Sequence, residues 1–173
     1  MTMGQAPGGP AGGAAGAATD GTVIAGPTGQ QMTVKISGAA SGGAYSLIEY
    51  CHAPGAAGPP PHIHHRHEEA FYVLEGELTL AIGAATVTVT AGQAAVVPRG
   101  TVHPPSNTSA APVRFVFLSS PPMDEFFTEL GQLVTRSGGR PPADQLRRLG
   151  DRHDSIFTDL PATGTIRMNN EQP

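Results

Sequence analysis

Residues 62–76 read His62-Ile63-His64-His65-Arg66-His67-Glu68-Glu69-Ala70-Phe71-Tyr72-Val73-Leu74-Glu75-Gly76, and residues 92–107 read Gly92-Gln93-Ala94-Ala95-Val96-Val97-Pro98-Arg99-Gly100-Thr101-Val102-His103-Pro104-Pro105-Ser106-Asn107. His62 and His64 are two apart, so on an extended chain both side chains point to the same side. A short turn then leads to Glu68 and Glu69 at the start of the next strand. Glu69, Phe71 and Val73 share one parity there. His103 arrives from a distant segment. Neutral imidazole and carboxylate are good ligands for first-row divalent metals, so three imidazoles and a carboxylate from two stretches describe a metal centre. Four protein ligands on one side of an ion leave one or two positions open to substrate or dioxygen.

Working outward, the surrounding sequence has a period of two. Met32, Val34 and Ile36 alternate with Gln31, Thr33, Lys35 and Ser37, the pattern of a half-buried strand. A Gly-rich turn at 42–43 leads to a strand over about 45–52, and 53–61 is an Ala/Gly/Pro loop. Strands follow at about 69–75 and 77–82, a Gly83-Ala84 hairpin turn, a strand carrying Val87 and Val89, and another from Val113 to Leu118. Short strands punctuated by turns predict an all-β sandwich or barrel. The 23 glycines and 17 prolines among 173 residues agree with frequent turns.

After Pro122 the period changes. Met123, Phe126, Phe127, Leu130, Leu133 and Val134 fall at helical spacing. Ser137-Gly138-Gly139 ends that helix, and Pro141-Pro142 starts a shorter one with Leu146 and Leu149. The apolar stripe is expected to pack against the outside of the barrel; a dimer contact or a lid over the barrel mouth are the other uses of such a face. Residues 1–20 are Gly, Ala, Pro and small polar residues, expected as a disordered tail. The organisation expected is thus a tail over 1–20, a barrel over 21–120, a helical extension over 121–155 and an irregular tail over 156–173.

Composition narrows the function. Ten basic and fourteen acidic residues give a net charge of −4 with no Lys/Arg run, so nucleic acid and anionic membranes are not expected partners. The single cysteine, Cys51, excludes an internal disulfide framework and reads as a small strand residue. The start of the chain lacks a basic n-region and a continuous apolar h-region, and no apolar run approaches the ~18 residues of a membrane span. A cytoplasmic protein is the expectation.

The two stretches resemble the motifs of the cupins, small β-barrels. The first cupin motif runs Gly, five residues, His-x-His, three or four residues, Glu, six residues, Gly. Here it runs from His62 and His64 through Glu69 to Gly76, with Ala56 where the leading Gly would stand. The second runs Gly, five residues, Pro-x-Gly, two residues, His, three residues, Asn, and is complete in Gly92, Pro98, Gly100, His103 and Asn107. The resemblance covers about residues 30–120 and implies a cupin jelly-roll barrel with His62, His64, Glu69 and His103 as ligands. The spacing to Gly76 selects Glu69 over Glu68. His65 and His67 form a rival His-x-His pair but fall in the turn. His52 and His153 fit no motif and read as surface or structural. Gly76 and Gly100 set turns, and Asn107 is expected to fix a loop by hydrogen bonds.

Tyr45-Ser46-Leu47, the run from Glu69 to Gly76 and the segment Asp124-Glu125-Phe126-Phe127 are similar to bacterial single-domain cupins described as quercetin 2,3-dioxygenase-like. That likeness implies a metal-dependent dioxygenase acting on a flavonol- or diketone-like substrate, with Glu69 as both ligand and base. It also implies a homodimer. The implied cofactor is one divalent transition metal, and the ligand set accepts Fe, Ni, Mn, Cu or Zn. Phe71 and Val73 would form the apolar wall of the substrate pocket. Tyr50 and Tyr72 carry hydroxyls within possible reach of it. Two other readings share the barrel: a non-catalytic module holding a metal or small ligand, and a metal-dependent isomerase or decarboxylase.

Overall fold

In the computed structural model, which describes residues 21–26, 30–139 and 141–160, alternating apolar residues pair up as strands. They are β1 (Thr22–Ala25), β2 (Gln31–Ile36), β3 (Ser46–His52), β4 (His62–Ile63), β5 (Glu68–Glu75), β6 (Glu77–Ile82), β7 (Ala85–Thr90), β8 (Ala94–Val97), β9 (Pro105–Ser106), β10 (Val113–Ser120) and β11 (Ile156–Phe157). Between the last two lie α1 (Asp124–Arg136) and α2 (Ala143–Arg152). The tail expected over residues 1–20, and residues 161–173 of the one expected at the other end, lie outside the described residues.

β10 is the axis of the larger sheet. Its buried and half-buried residues alternate along the whole strand, and it pairs antiparallel with β3 on one side and β5 on the other. The sheet order is β1-β2-β3-β10-β5-β8. A smaller sheet, β7-β6-β9, faces it. Leu78, Leu80 and Val89 from the small sheet pack with Phe71, Val73, Phe115 and Phe117 from the large one in a single core. Each such side chain contributes about 1.5–3 kcal/mol by leaving water. The all-β jelly roll with a helical extension is therefore the fold, its sheets stacked rather than closed into a continuous barrel.

Gly76 joins β5 to β6 with φ of +78°, and a Cβ there would stand 2.5 Å from the Pro112 carbonyl oxygen. Only glycine meets both demands cheaply. Asn107 fixes its loop as expected: its amide nitrogen donates to the carbonyls of Ala53 and Ala111, and its Oδ1 accepts from Ser109.

The helices refine one expectation. The buried face of α1 meets the edge of the large sheet at Gly131 against Ile24, but most of the stripe packs elsewhere. Phe126, Leu130, Leu133 and Val134 form a second core with Leu146 and Leu149 of α2, and Phe127 reaches between this core and the first. Residues 156–157, the start of the segment expected to be irregular, form β11 and pair with Ile63 and His62. Two residues are too few to show a period, which is why the sequence did not reveal the strand. No helix among the described residues is long and apolar enough to cross a membrane.

Candidate metal centre

The strand pairing brings the two histidine stretches together. His62 sits on β4 and bridges to His103, whose backbone N–H donates to the His62 carbonyl at 2.9 Å. Gly100 N–H donates to the His64 carbonyl at 2.7 Å, which ties the second motif to the first. Glu69 enters from β5, one residue into the strand. All four side chains are buried.

One ring nitrogen from each of His62, His64 and His103 lies within 4.8 Å of the others. The opposite nitrogens explain which atoms these are. Nδ1 of His62 donates to the Pro60 carbonyl at 2.9 Å, Nδ1 of His64 to the Asp154 carbonyl at 2.7 Å, and Nδ1 of His103 to the Thr101 carbonyl at 3.0 Å. A carbonyl only accepts, so each Nδ1 carries a proton, and in the neutral imidazole Nε2 keeps its lone pair. Main-chain acceptors thus set all three tautomers for ligation.

Glu69 closes the fourth side. Its Oε2 is 3.1 Å from His103 Nε2 and its Oε1 is 3.5 Å from His64 Nε2. With Nδ1 protonated, a neutral His103 would turn a lone pair toward a carboxylate lone pair. His64 Nε2 is buried without a hydrogen-bond partner among the described residues. Buried polar atoms are almost always paired, so converging unshared pairs are the arrangement a cation satisfies. The donor set, three neutral nitrogens and one carboxylate oxygen, suits a divalent transition metal.

The electrostatics agree. Burial pulls the His62 imidazole down to about 3, helped by its neighbours His103 and His64. Burial likewise lowers His64, against the pull of Glu69. At Glu69 burial acts upward, but the hydrogen bond from His103 and the imidazoles around it hold the carboxyl below its ordinary value. At His103 burial acts downward, but the hydrogen bond with Glu69, its charge and the Thr101 carbonyl raise the imidazole above its ordinary value, so the His103–Glu69 pair holds a proton that a cation would displace.

An apolar cavity of about 100 Å³ adjoins the ligands. His62, His64 and Glu69 reach it from one side, Phe71, Phe115 and Phe117 form its wall, and Phe126, Phe127 and Leu130 of α1 roof it. The α1 stripe is therefore a lid over the mouth. Of the two wall residues read from the sequence, Phe71 lines the cavity, whereas Val73 is fully buried in the sheet core and does not. Parity aims both inward, but at the level of Val73 the interior is already filled. Tyr72 is 44% exposed and faces away, while Tyr50 lines the cavity.

Two residues near the site escaped the sequence reading. His52, read as surface or structural, is buried and lines the cavity. Asp154 holds His64 from the far side of the chain. Its carboxylate also accepts from Arg66 N–H at 2.6 Å and from His67 Nδ1 at 3.2 Å. His67 is thereby a buried strut of the turn, its ring 5.6 Å from that of His64, and no part of the three-nitrogen cluster. No local signal marks Asp154 in the sequence. His153 pairs with Glu129 on the helical extension.

Comparison with known proteins agrees with this architecture. Residues 49–119 match the family model described as the cupin domain. Over 72 residues the chain is 43% identical to germin-like protein subfamily 2 member 2 of Arabidopsis thaliana, covering 39% of this chain and 32% of that protein. Over 76 residues it is 41% identical to germin-like protein 1-1 of Oryza sativa subsp. japonica, covering 41% and 35%. The chain thus spans about a third of the length of these curated relatives. Among solved structures, an RmlC-like cupin from Shewanella frigidimarina superposes with a TM-score of 0.51 at 19% identity, over 62% of this chain and 89% of that one. The polyketide cyclase RemF from Streptomyces resistomycificus superposes with a TM-score of 0.50 at 25% identity, over 61% and 78%.

Proposed function

Taking a cupin jelly roll with a buried three-histidine cluster as the premise, we propose that the chain binds one divalent transition metal through His62, His64, Glu69 and His103 and acts as a metal-dependent dioxygenase on a small, chelating organic substrate of the flavonol or 1,3-diketone kind. The observation that carries the metal reading is the shared tautomer: three Nδ1–H groups donate to main-chain carbonyls and three Nε2 atoms converge beside a carboxylate. Such a metal supplies Lewis-acid polarisation of an enol or ketone oxygen and, where redox-active, a route for dioxygen chemistry.

The protein's own residues do the rest. Glu69 lines the cavity beside the histidine cluster, and in this reading its carboxylate accepts the acidic proton of an enol. Phe71, Phe115 and Phe117 offer ring faces to a planar substrate. Phe126, Phe127 and Leu130 exclude water above it, which strengthens every charge interaction beneath. Among the described residues no lysine or arginine lines the cavity.

A second reading is favoured by the likeness to a polyketide cyclase. Here the same Glu69 would move a proton on a poly-β-keto chain without consuming oxygen. One experiment decides between them. Protein reconstituted separately with Fe, Ni, Mn and Cu is mixed with flavonols and 1,3-diketones in an oxygen electrode. Oxygen uptake supports the dioxygenase. Turnover under strict anaerobiosis supports the cyclase-like reading, and inertness of every metal form would leave a binding module.

A further inference from the structure

The cavity wall is a ladder of aromatic rings. Tyr50 stacks on Phe115 at 5.6 Å, Phe115 lies 6.1 Å from Phe71, and Phe71 follows Glu69 by two residues on β5. At the end of this ladder away from Glu69 stand polar groups that the metal centre does not use. His52 is only 1% exposed and lines the cavity, and its Nδ1 has no hydrogen-bond partner among the described residues. Its ring stands edge-on to Tyr50 at 4.7 Å and to Phe115 at 5.3 Å. Beside it, the Tyr50 hydroxyl donates to Gln30 Oε1 at 2.9 Å, and Gln30 lies on the same wall.

A buried nitrogen without a partner is rare in a native fold and calls for an explanation. Strain does not supply one, because the ring has two favourable edge contacts. Nor does ligation, because His52 is not among the imidazoles whose nitrogens lie within 4.8 Å of one another. Burial pushes the imidazole down to about 4, so at neutral pH it is uncharged, with one nitrogen donating and the other accepting. A hydroxyl can serve either nitrogen.

We infer that His52 forms a second, polar subsite of the cavity, which takes a hydroxyl carried on the ring of an aromatic ligand farthest from the metal, with Tyr50 and Phe115 flanking that ring. The inference rests on the proposed chelating substrate and narrows it. The ligand is a hydroxylated, multi-ring aromatic rather than a short aliphatic diketone, since the ladder offers ring faces over its whole length.

The test uses the full-length, metal-loaded protein and two probes, 3-hydroxyflavone and 3,4′-dihydroxyflavone, with affinities read by quenching of ligand fluorescence. Wild type is expected to bind the dihydroxy probe about tenfold more tightly, the worth of one made hydrogen bond. His52→Phe should lose that preference, and His52→Gln, which keeps a donor and an acceptor, should restore part of it. If near-UV circular dichroism shows that His52→Phe does not fold, His52→Asn, whose shorter amide draws back from the cavity, takes its place. The subsite is overturned if the His52 variants keep the preference, or if wild type shows none, in which case Nδ1 is served by an ordered water only. Binding of neither flavone by wild type holding its full metal would instead overturn the chelating-aromatic reading itself, and the subsite with it.

Discussion

Nδ1 of His64 donates to the main-chain carbonyl of Asp154 at 2.7 Å, across 90 residues of sequence. The first histidine motif is thus completed by the segment that follows the second helix. Asp154 occupies the left-handed region at φ of 57°, where its short polar side chain is among the few tolerated. That conformation turns its carbonyl toward His64 while its carboxylate accepts from Arg66 and His67.

A β-branched residue resists this backbone, so Asp154→Val should move the carbonyl off His64. Partners that orient a ligating histidine are typically worth about 10–100-fold in metal affinity. Asp154→Val is expected to weaken binding by about that factor, measured by competition with a chromophoric chelator. Asp154→Gly, which keeps the backbone and loses only the carboxylate, should cost less. Equal affinities for wild type and the valine variant would refute the link between the helical extension and the metal.

The four proposed ligands should separate by role. His62→Ala, His64→Ala and His103→Ala are each expected to lose the metal on gel filtration while keeping the β-sheet circular dichroism. Glu69→Gln keeps the volume and part of the ligation but removes the base. It should retain some metal and lose about 10²–10⁴-fold in turnover of an acidic substrate. Elemental analysis and the oxygen electrode read the two effects independently. Full metal in His62→Ala would end the tetrad.

His52 gives a pH signature. Its folded value is about 4 against an ordinary 6.5, so between those values the unfolded chain binds the additional proton. The contribution of the neutral imidazole is fully present above pH 6.5, falls as the pH drops from 6.5 to about 4, and falls no further below that. The shift corresponds to about 3 kcal/mol over the window. Thermal melts of metal-free wild type and His52→Phe at several pH values check this. The difference between the two proteins should change with pH by that order, because contributions of the other histidines are common to both. A pH-independent difference would mean that His52 titrates alike in the folded and unfolded chain.

These residues show where sequence was informative. That His62, His64 and His103 come together was readable from their motif spacing, and the spacing to Gly76 pointed to Glu69 beside them. Phe71 followed from parity with Glu69. Val73 has the same parity but meets a filled core, since alternation tells which face a residue takes and not whether that face is empty there. The α1 stripe was visible as a helix face. What it covers was not, because a 3.6-residue period carries no information about the opposing surface. His52 and Asp154 escaped for the same reason: each acquires its role from neighbours far along the chain.

The lid itself can be tested at one residue. Gly131 lies on the buried face of α1, and a Cβ there would stand 2.4 Å from Ile24 Cγ2 and 3.2 Å from the Ala25 carbonyl oxygen. Ile24 belongs to β1, the edge of the large sheet, so this contact sets how closely the helix approaches the sheet. Alanine favours a helix by about 1 kcal/mol over glycine, but overpacking of this kind typically costs about 1–3 kcal/mol. Gly131→Ala should therefore lower stability, with amide exchange rising in α1 more than in β10. Since Phe126, Phe127 and Leu130 of the same helix roof the cavity, ligand affinity should fall with it. Removing Cγ2 by Ile24→Ala gives the decisive control. Each single change destabilises, but in the double variant the alanine methyl has room, so the combined loss should be smaller than the sum. Strict additivity would show that Gly131 is not what seats the lid.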